Sequence, residues 1–335
     1  MLGVKELKQV LGNVLNWHGS RLDFLAKFML ALIAVRTVNL AEIATAFAGH
    51  AKVDSKYKRL QRFFKDFELN YDLIAKLIVN LIPAKPPWYL TLDRTNWKFG
   101  RIDINILVLG IAYEGIAFPL LWTLLPTAGN SNTDERIALL ERFISLFGRD
   151  KVFCLLADRE FVGKDWFNFL VGSPIKFRIR LKKNTLIENS RGKMVSAFKL
   201  FRSLKTNHYC VLKTKRLVWS HKLYIAGTKL SDGDYLIVVS SDSPGDILSD
   251  YAKRWEIETL FGCLKSRGFR FEDTHLSEPE RISKLMSLLA ISFVWAYKTG
   301  EWLTQNQRAI PLKKLSTDLL KASFVMVLIT FATSF

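Results

Sequence analysis

The sequence predicts an α/β protein with a helical N-terminal part, and three observations lead to that prediction. Residues 1–85 place Leu, Ile and Phe at intervals of three and four, the periodicity of amphipathic helices. Residues 86–180 alternate short apolar runs with helical patterns, as in a sheet covered by helices. Residues 181–245 contain strand-like pieces without helical periodicity, which predicts a β insertion.

The α/β part begins after the sequence IPAKPP, which is typical of a linker. The first strands are predicted at Trp88–Asp93 and at 104–113, both apolar runs rich in branched or aromatic residues. A helix follows over 133–148, where Asn132 or Thr133 can cap the start and Glu135 is placed for a capping box. The further elements predicted are a strand over 151–158, a helix over 164–172, a strand over 175–183, helices over 246–300 and a helical tail over 301–335.

The charge balance predicts a polyanionic partner. The chain has 335 residues and a formal net charge of +18, and nucleic acid or an anionic membrane surface fits that excess. Between Leu181 and Lys229 there are twelve Lys or Arg residues and one acid, Glu188. The apolar runs are shorter than the roughly 20 residues of a spanning helix, and no signal peptide is recognisable. We therefore expect a soluble protein without a membrane partner.

Cysteine usage predicts a reducing, cytoplasmic environment. The three cysteines, Cys154, Cys210 and Cys263, are scattered and odd in number. They form no Cys-x-x-Cys or Cys/His pattern, so the sequence indicates neither a disulfide framework nor a zinc site.

A basic helix is predicted within the N-terminal part. The stretch LAEIATAFAGHAKVDSKYKRLQRFF reads as a helix, a turn and a second helix that carries Lys56, Lys58, Arg59 and Arg62. Such a helix could lie against DNA phosphates. An ordinary solvated basic face is the competing interpretation, and the sequence leaves both open.

Two predicted strands end in the same way, in LTLDRT and LLADRE. Asp93 and Asp158 each close an apolar run and precede an Arg. Ligands of open α/β sheets bind at such strand ends, although an Asp there is more often a turn residue. A third carboxylate, Glu258, lies on the shoulder of an apolar helix face.

Three carboxylates beside a basic surface favour phosphodiester chemistry. Two divalent ions held by hard oxygen ligands can activate a nucleophile and stabilise the leaving oxygen. Mg²⁺ or Mn²⁺ suits such ligands, whereas zinc would favour the five His residues, which form no obvious cluster.

Glu258 belongs to a polar stripe in the stretch YAKRWEIETLFGCLKSRGF. On one helix, Tyr251, Arg254, Glu258 and Lys265 would fall within an arc of roughly 60°. An Arg254–Glu258 ion pair on a solvated face is the plain alternative. Arg four residues before Glu is, however, the weaker orientation of such a pair.

These motifs resemble the insertion sequence 4 family of DDE transposases. The spacing Tyr251-x2-Arg254-x3-Glu258-x6-Lys265 is similar to that family's Tyr-Arg-Glu-Lys signature. LTLDRTNW, GNSNTDERIALLERFI and LADREF are similar to its first-Asp and second-Asp regions, and the resemblance runs from about Trp88 to Tyr297.

The resemblance implies a ribonuclease H-like core interrupted by the β insertion, with two Mg²⁺ ions on Asp93, Asp158 and Glu258. It implies cut-and-paste transposition of a bacterial insertion sequence by strand cleavage, hairpin formation at the ends and strand transfer. The implied partners are double-stranded DNA, as terminal inverted repeats and target, and a second copy of the chain in a synaptic dimer.

The resemblance also assigns roles to single residues. Tyr251, Arg254, Lys265 and Arg180 would contact DNA phosphates near the cleaved bond. Trp219 of the insertion would hold an extruded base by stacking, although a packing role for this Trp is an equal alternative. Gly262 could permit a close backbone approach or serve packing alone.

Two other functions remain open from the sequence. A catalytically inactive or truncated DNA-binding regulator of transposition would explain the apolar C-terminal tail VMVLITFATSF. A peripheral membrane protein would need a basic amphipathic helix with a broad apolar face, and the sequence contains none that is obvious.

Overall fold

The structure is a computed structural model that describes residues 4–306. The N-terminal part is helical, as predicted. Asn39 and Asn70 accept backbone hydrogen bonds at the starts of their helices, and Phe24 stacks on Phe63 at 4.6 Å between ring centroids. The helices are α1 (Val4–Gly12), α2 (Gly19–Val35), α3 (Leu40–Ala46), α4 (Val53–Asp66) and α5 (Tyr71–Leu81).

A mixed sheet forms the centre of the protein, so the predicted α/β class is confirmed. Strands and later helices follow in chain order. The strands are β1 (Trp88–Phe99), β2 (Ile102–Tyr113), β3 (Ile116–Leu124), β4 (Val152–Ala157), β5 (Phe177–Arg180), β6 (Leu186–Glu188), β7 (Met194–Ser196), β8 (Tyr209–Val211), β9 (Arg216–Val218), β10 (His221–Lys229) and β11 (Tyr235–Ser240). The helices are α6 (Thr133–Phe147), α7 (Lys164–Gly172), α8 (Ile247–Ala252), α9 (Trp255–Leu264) and α10 (Pro279–Asn306).

The strand order of the central sheet is β3-β2-β1-β4-β5-β11-β10-β8, and β9 also pairs with β10. The first three strands are antiparallel neighbours, whereas β1, β4 and β5 run parallel. Residues 104–111 of β2 are all buried, as expected of a strand covered on both faces. Parallel neighbours bring the ends of β1 and β4 to the same edge of the sheet.

The helix predicted after the first strands forms as α6. The Asn132 side chain accepts from the Glu135 N–H at 2.8 Å, and the Glu135 carboxylate accepts from the Asn132 N–H at 2.8 Å. This reciprocal pair confirms the predicted capping box.

The predicted strands between residues 181 and 245 are present, and several of them continue the central sheet. Strand β11 pairs antiparallel with β5, and β10 pairs with β11. Only β6 and β7, among the strands of the described residues, form a separate two-stranded sheet.

The expectation of one uninterrupted helix from Tyr251 to Lys265 is wrong. Helix α8 ends at Ala252 and α9 begins at Trp255, with Lys253 and Arg254 between them. The Arg254 N–H bonds to the Tyr251 carbonyl at 2.9 Å, three residues back, so the chain takes a tighter turn than an α-helix. Lys265 follows the last residue of α9 as its C-cap.

The N-terminal helices and the sheet share one hydrophobic core, which extends from Leu7 to Tyr297. The buried Lys284 ammonium of α10 donates to the Phe64 carbonyl of α4 at 3.1 Å and ties the two helices together. Within residues 4–306, no single helix is long and apolar enough to cross a membrane. Helices α2 and α3 reach that length and composition only when taken together, and the chain bends by 105° between them. Most of the predicted tail over 301–335 lies outside the described residues.

Candidate active site

Asp93 and Asp158 follow the last paired residues of two parallel neighbours. The register between β1 and β4 ends at Leu92–Ala157, so each Asp is the next residue of its strand. Neighbouring strands lie about 4.8 Å apart, which brings these two carboxylates to one edge of the sheet. The prediction that the first strand ends at Asp93 is wrong, because antiparallel pairing with β2 continues β1 to Phe99. Only the parallel pairing with β4 stops just before Asp93.

Asp93 is largely buried, with 17% of its side chain exposed. Its Oδ1 accepts the Arg94 N–H at 2.7 Å, and Arg254 Nη1 donates to Oδ2 at 3.3 Å. Burial raises the pKa of Asp93 to about 6, against the lowering effects of the Arg94 N–H and the Arg254 charge. The nearby Glu160 and Asp158 charges raise this pKa further, so Asp93 lies in a concentration of negative charge.

Arg254 joins Glu258 to this site. Its second terminal nitrogen, Nη2, donates to Glu258 Oε1 at 2.7 Å, and only 4% of the Arg254 side chain is exposed. The ion pair that offered a plain explanation of the stripe therefore exists. The same guanidinium also contacts Asp93, which the plain explanation did not include.

Tyr251 and Arg180 contact the other Asp of the site. The Tyr251 hydroxyl donates to Asp158 Oδ1 at 3.3 Å, and Arg180 Nη1 lies 3.9 Å from the same oxygen. Burial raises the pKa of Tyr251, so its hydroxyl remains a donor at neutral pH. Arg180 also approaches Asp234 at 3.8 Å.

Lys265 lies farther along the first strand. Its ammonium donates to the Asn96 carbonyl at 3.2 Å and pairs with Glu272 at 2.8 Å. The structure thus places Lys265 beside β1, three residues beyond Asp93. Gly262, three residues earlier, lies so close to Arg267 that a Cβ at this position would collide with the Arg267 guanidinium.

Trp219 and the basic helix have other neighbours than the three carboxylates in the contacts described. Trp219 is partly buried in the turn between β9 and β10 and contacts Phe167 edge-on, with ring centroids 5.1 Å apart. Lys58, Arg59 and Arg62 are exposed on α4, whereas Lys56 of the same helix is half-buried.

The basic helix forms one wall of a cleft of about 780 Å³. The opposite wall belongs to the segment that leads into α10. Among the described residues that line the cleft there is no carboxylate, and the basic ones are Lys58, Arg62, Lys65, His275 and Arg281. Arg281 pairs with Glu278 at 3.0 Å, and the His275 ring lies 5.6 Å from Phe99, at the end of β1.

Sequence reasoning missed two features of the site. Arg94 and Glu160 form an ion pair beside the two Asp residues, and the Arg after the first Asp and the Glu two residues after the second were the available signal. Trp255 was missed as well. It is 57% exposed, and the Arg254 guanidinium lies 4.9 Å from its ring centroid.

The donor set suits a hard divalent cation. Asp93, Asp158 and Glu258 supply carboxylate oxygens, and the Arg254 guanidinium already holds a positive charge between two of them. Within residues 4–306, no three carboxylate, imidazole or thiolate groups converge on one point. Asp93, Asp158 and Glu258 are the residues that would hold such an ion.

One comparison with known proteins shows the family of this chain. The family described as transposase DDE domain matches residues 90–295, more than half of the chain. The chain therefore belongs to the transposase DDE domain family. No curated protein matches the sequence. A solved piggyBac transposase synaptic complex with hairpin DNA is similar at 12% identity and a TM-score of 0.48, over 95% of this chain and 72% of that chain.

Proposed function

We propose that this protein is a cut-and-paste DNA transposase of the insertion sequence 4 family, with Asp93, Asp158 and Glu258 as its catalytic carboxylates. One observation carries the proposal: Arg254 contacts Asp93 and Glu258, which are distant in sequence, at the sheet edge where Asp158 also lies. The family membership supplies the reaction class. The order β3-β2-β1-β4-β5 supports a ribonuclease H-like core.

The three carboxylates would hold two Mg²⁺ ions, for which Mn²⁺ can substitute. Bound there, the ions would activate the attacking oxygen and stabilise the leaving oxygen of a phosphodiester. Asp93 lies near the negative charge of Asp158, and a bound cation would offset the repulsion between these two carboxylates.

The polar residues around the carboxylates would hold the DNA strand. Arg254 presents a planar guanidinium, suited to two contacts with one phosphate, and Lys265 a point charge farther along β1. Tyr251 and Arg180 would orient Asp158 and contact the strand at the same edge. Their spread along the sheet edge suits a substrate longer than one nucleotide.

The basic cleft would hold the duplex that leads to the site. Lys58, Arg62 and Lys65 line it together with His275 and Arg281, and the His275 ring lies 5.6 Å from Phe99 at the end of β1. Six residues of strand separate Asp93 from Phe99, about 20 Å at 3.3 Å per residue. That length corresponds to about six base pairs, so residues 1–85 would recognise DNA just inside the element end.

The remaining roles follow the resemblance and await tests. The strands of 181–245 would carry basic residues to the DNA, and Trp219 would stack on a base if the ends pass through hairpins. Two copies would act together on paired ends, and the protein would work in the bacterial cytoplasm. The core would comprise 86–180 and 246–300, with 301–335 as a tail.

The decisive experiment incubates the purified chain with DNA that carries the sequences flanking its gene, in Mg²⁺ or Mn²⁺. Cleavage at the repeat ends, lost in Asp158→Asn and kept in Asp165→Asn, is the expected result. Asp165 is an exposed residue of α7, so its variant controls for the loss of one negative charge. Specific binding without cleavage by the unmodified chain would instead support a regulator of transposition.

A further inference from the structure

The two Asp-containing strand ends are joined by a second pair of charges. Arg94 follows Asp93 in β1, and Glu160 lies in the turn two residues after Asp158. Arg94 Nε is 3.3 Å from Glu160 Oε1, and Arg94 Nη2 is 3.3 Å from Glu160 Oε2. Two parallel contacts between a guanidinium and a carboxylate fix direction as well as distance.

This ion pair begins where the backbone ladder stops. The register between β1 and β4 ends at Leu92–Ala157, one residue before the two Asp residues. The next link between the strands is the Arg94–Glu160 pair, with 14% and 21% of the side chains exposed. The pair therefore links the two segments just beyond the point at which backbone pairing between β1 and β4 stops.

Arg94 is fully engaged in this position. Besides Glu160, its Nη1 donates to Asn105 Oδ1 at 3.0 Å, and its Nη2 donates to Asn130 Oδ1 at 3.4 Å. The Asn105 amide donates in turn to the carbonyls of Thr127 and Gly129, both at 2.9 Å. All three guanidinium nitrogens thus have protein partners, which favours a structural link over a contact with a DNA phosphate.

Glu160 is held from a second side by charge. The buried Arg136 guanidinium interacts with Glu160, and it lies 5.1 Å from the ring centroid of Phe161, the next residue. The Phe161 N–H bonds to the Asp158 carbonyl at 3.0 Å and closes the turn that carries Glu160. Glu160 therefore lies inside the hydrogen-bonded turn that begins at Asp158.

We propose that Arg94 and Glu160 are positioning residues that set the separation of Asp93 and Asp158 and thereby the affinity of the site for divalent cations. The proposal rests on the proposed function, since it takes these carboxylates as metal ligands. The two residues act through the Asp side chains. Loss of partners that orient metal ligands typically weakens metal affinity about 10- to 100-fold.

The test measures Mn²⁺ binding to the full chain by calorimetry and by electron paramagnetic resonance, without DNA. Arg94→Gln and Glu160→Gln are expected to weaken Mn²⁺ binding about 10- to 100-fold. The double variant is expected to bind no more weakly than either single one, because both remove the same link. The charge exchange Arg94→Glu with Glu160→Arg should recover part of the affinity.

A matched control is available in Arg142, whose Nη2 pairs with Asp72 Oδ1 at 2.7 Å between α6 and α5. Arg142→Gln also removes one guanidinium from an ion pair and should leave Mn²⁺ affinity unchanged. If the Gln variants do not fold, as judged by circular dichroism, Arg94→Lys and Glu160→Asp replace them. A lysine cannot make the two parallel contacts, so intermediate affinity is expected.

Three results would overturn the proposal. Unchanged Mn²⁺ affinity in folded Arg94 and Glu160 variants would show that the pair does not set the metal site. Additive losses in the double variant would show that the two residues act separately. Lack of Mn²⁺ binding by the unmodified chain, or binding that Asp93→Asn does not reduce, would overturn the metal assignment in the proposed function as well, and is thereby distinguishable.

Discussion

Arg254 and Glu258 form a 2.7 Å ion pair whose guanidinium also reaches Asp93, at 3.3 Å. The pair lies where α8 gives way to α9, so the tight turn between those helices presents Arg254 to the sheet edge. One buried cation thus links two carboxylates that belong to different elements.

Replacement of Arg254 should impair strand cleavage more than DNA binding. Arg254→Lys keeps the charge but cannot contact two carboxylates through a planar group. We expect cleavage of end DNA to fall by about 10²-fold, as for the loss of one preorganised charge-stabilising group. Single-turnover cleavage and gel-shift titration measure the two effects. Equal cleavage by Arg254→Lys and by the control Arg142→Lys would contradict the role assigned to Arg254.

Divalent cations should stabilise the folded chain through the three carboxylates. A ligand at 100 times its dissociation constant stabilises the native state by about 2.7 kcal/mol. Mn²⁺ is therefore expected to raise the melting temperature of the unmodified chain and of Asp165→Asn, and to have little effect on Asp158→Asn. Differential scanning fluorimetry with and without EDTA measures this. Equal shifts in all three chains would place the bound ion elsewhere.

A buried network below the site should contribute strongly to stability. Arg178, with 5% of its side chain exposed, pairs with Asp250 at 3.0 Å and with Asp242 at 3.4 Å, and the Tyr89 hydroxyl donates to Asp250 at 2.6 Å. Arg178→Met leaves these carboxylates without their cation and should cost about 3–5 kcal/mol. Urea unfolding measures the loss. Arg101 is exposed, so Arg101→Met is the control. Equal urea midpoints for the two variants would refute the prediction.

Asp242 should contribute to stability only above acidic pH. Burial alone would raise its pKa, but the Ser243 N–H and the Arg178 charge outweigh burial and lower it. A carboxyl whose folded pKa is below its unfolded value of 3.8 stabilises the fold above that value, and this stability is lost as the pH falls through the folded pKa. In Asp242→Asn the free energy of unfolding should therefore fall less steeply as the pH drops below 4. Acid titrations followed by circular dichroism measure this. The same loss of stability below pH 4 in the variant and the unmodified chain would contradict the lowered pKa of Asp242.

The basic cleft should determine much of the salt dependence of DNA binding. Each phosphate contact contributes about 0.9 to the slope of log K against log salt concentration. Substitution of Lys58, Arg62 and Lys65 by Gln should lower that slope by about 2–3. The control substitutes Lys5, Lys76 and Lys85, which are exposed outside the cleft. Equal slopes for the two triple variants would exclude the cleft as the DNA path.

The fold class and the candidate site residues could be predicted from the sequence because they depend on local patterns; the catalytic roles stay predictions. Apolar runs predicted the strands that carry Asp93 and Asp158, and the capping motif at Asn132 predicted the start of α6. Both are properties of short segments, and both are present. The spacing of Tyr251, Arg254 and Glu258 likewise indicated a shared site, although the chain there is two helices and not one.

The sequence by itself thus determined most of the segments that form helices and strands, and it placed Asp93 on the first strand and Asp158 directly after β4. Only the tertiary structure decided which groups meet. The contacts of Arg254 with Asp93 and of Arg94 with Glu160 depend on the register and direction of β1 and β4, which no local periodicity encodes. Lys265 likewise lies beside Asn96 because α9 crosses β1 there. Long-range contacts follow from how complete elements pack against one another, so residues far apart in sequence acquire a common site only when the core closes.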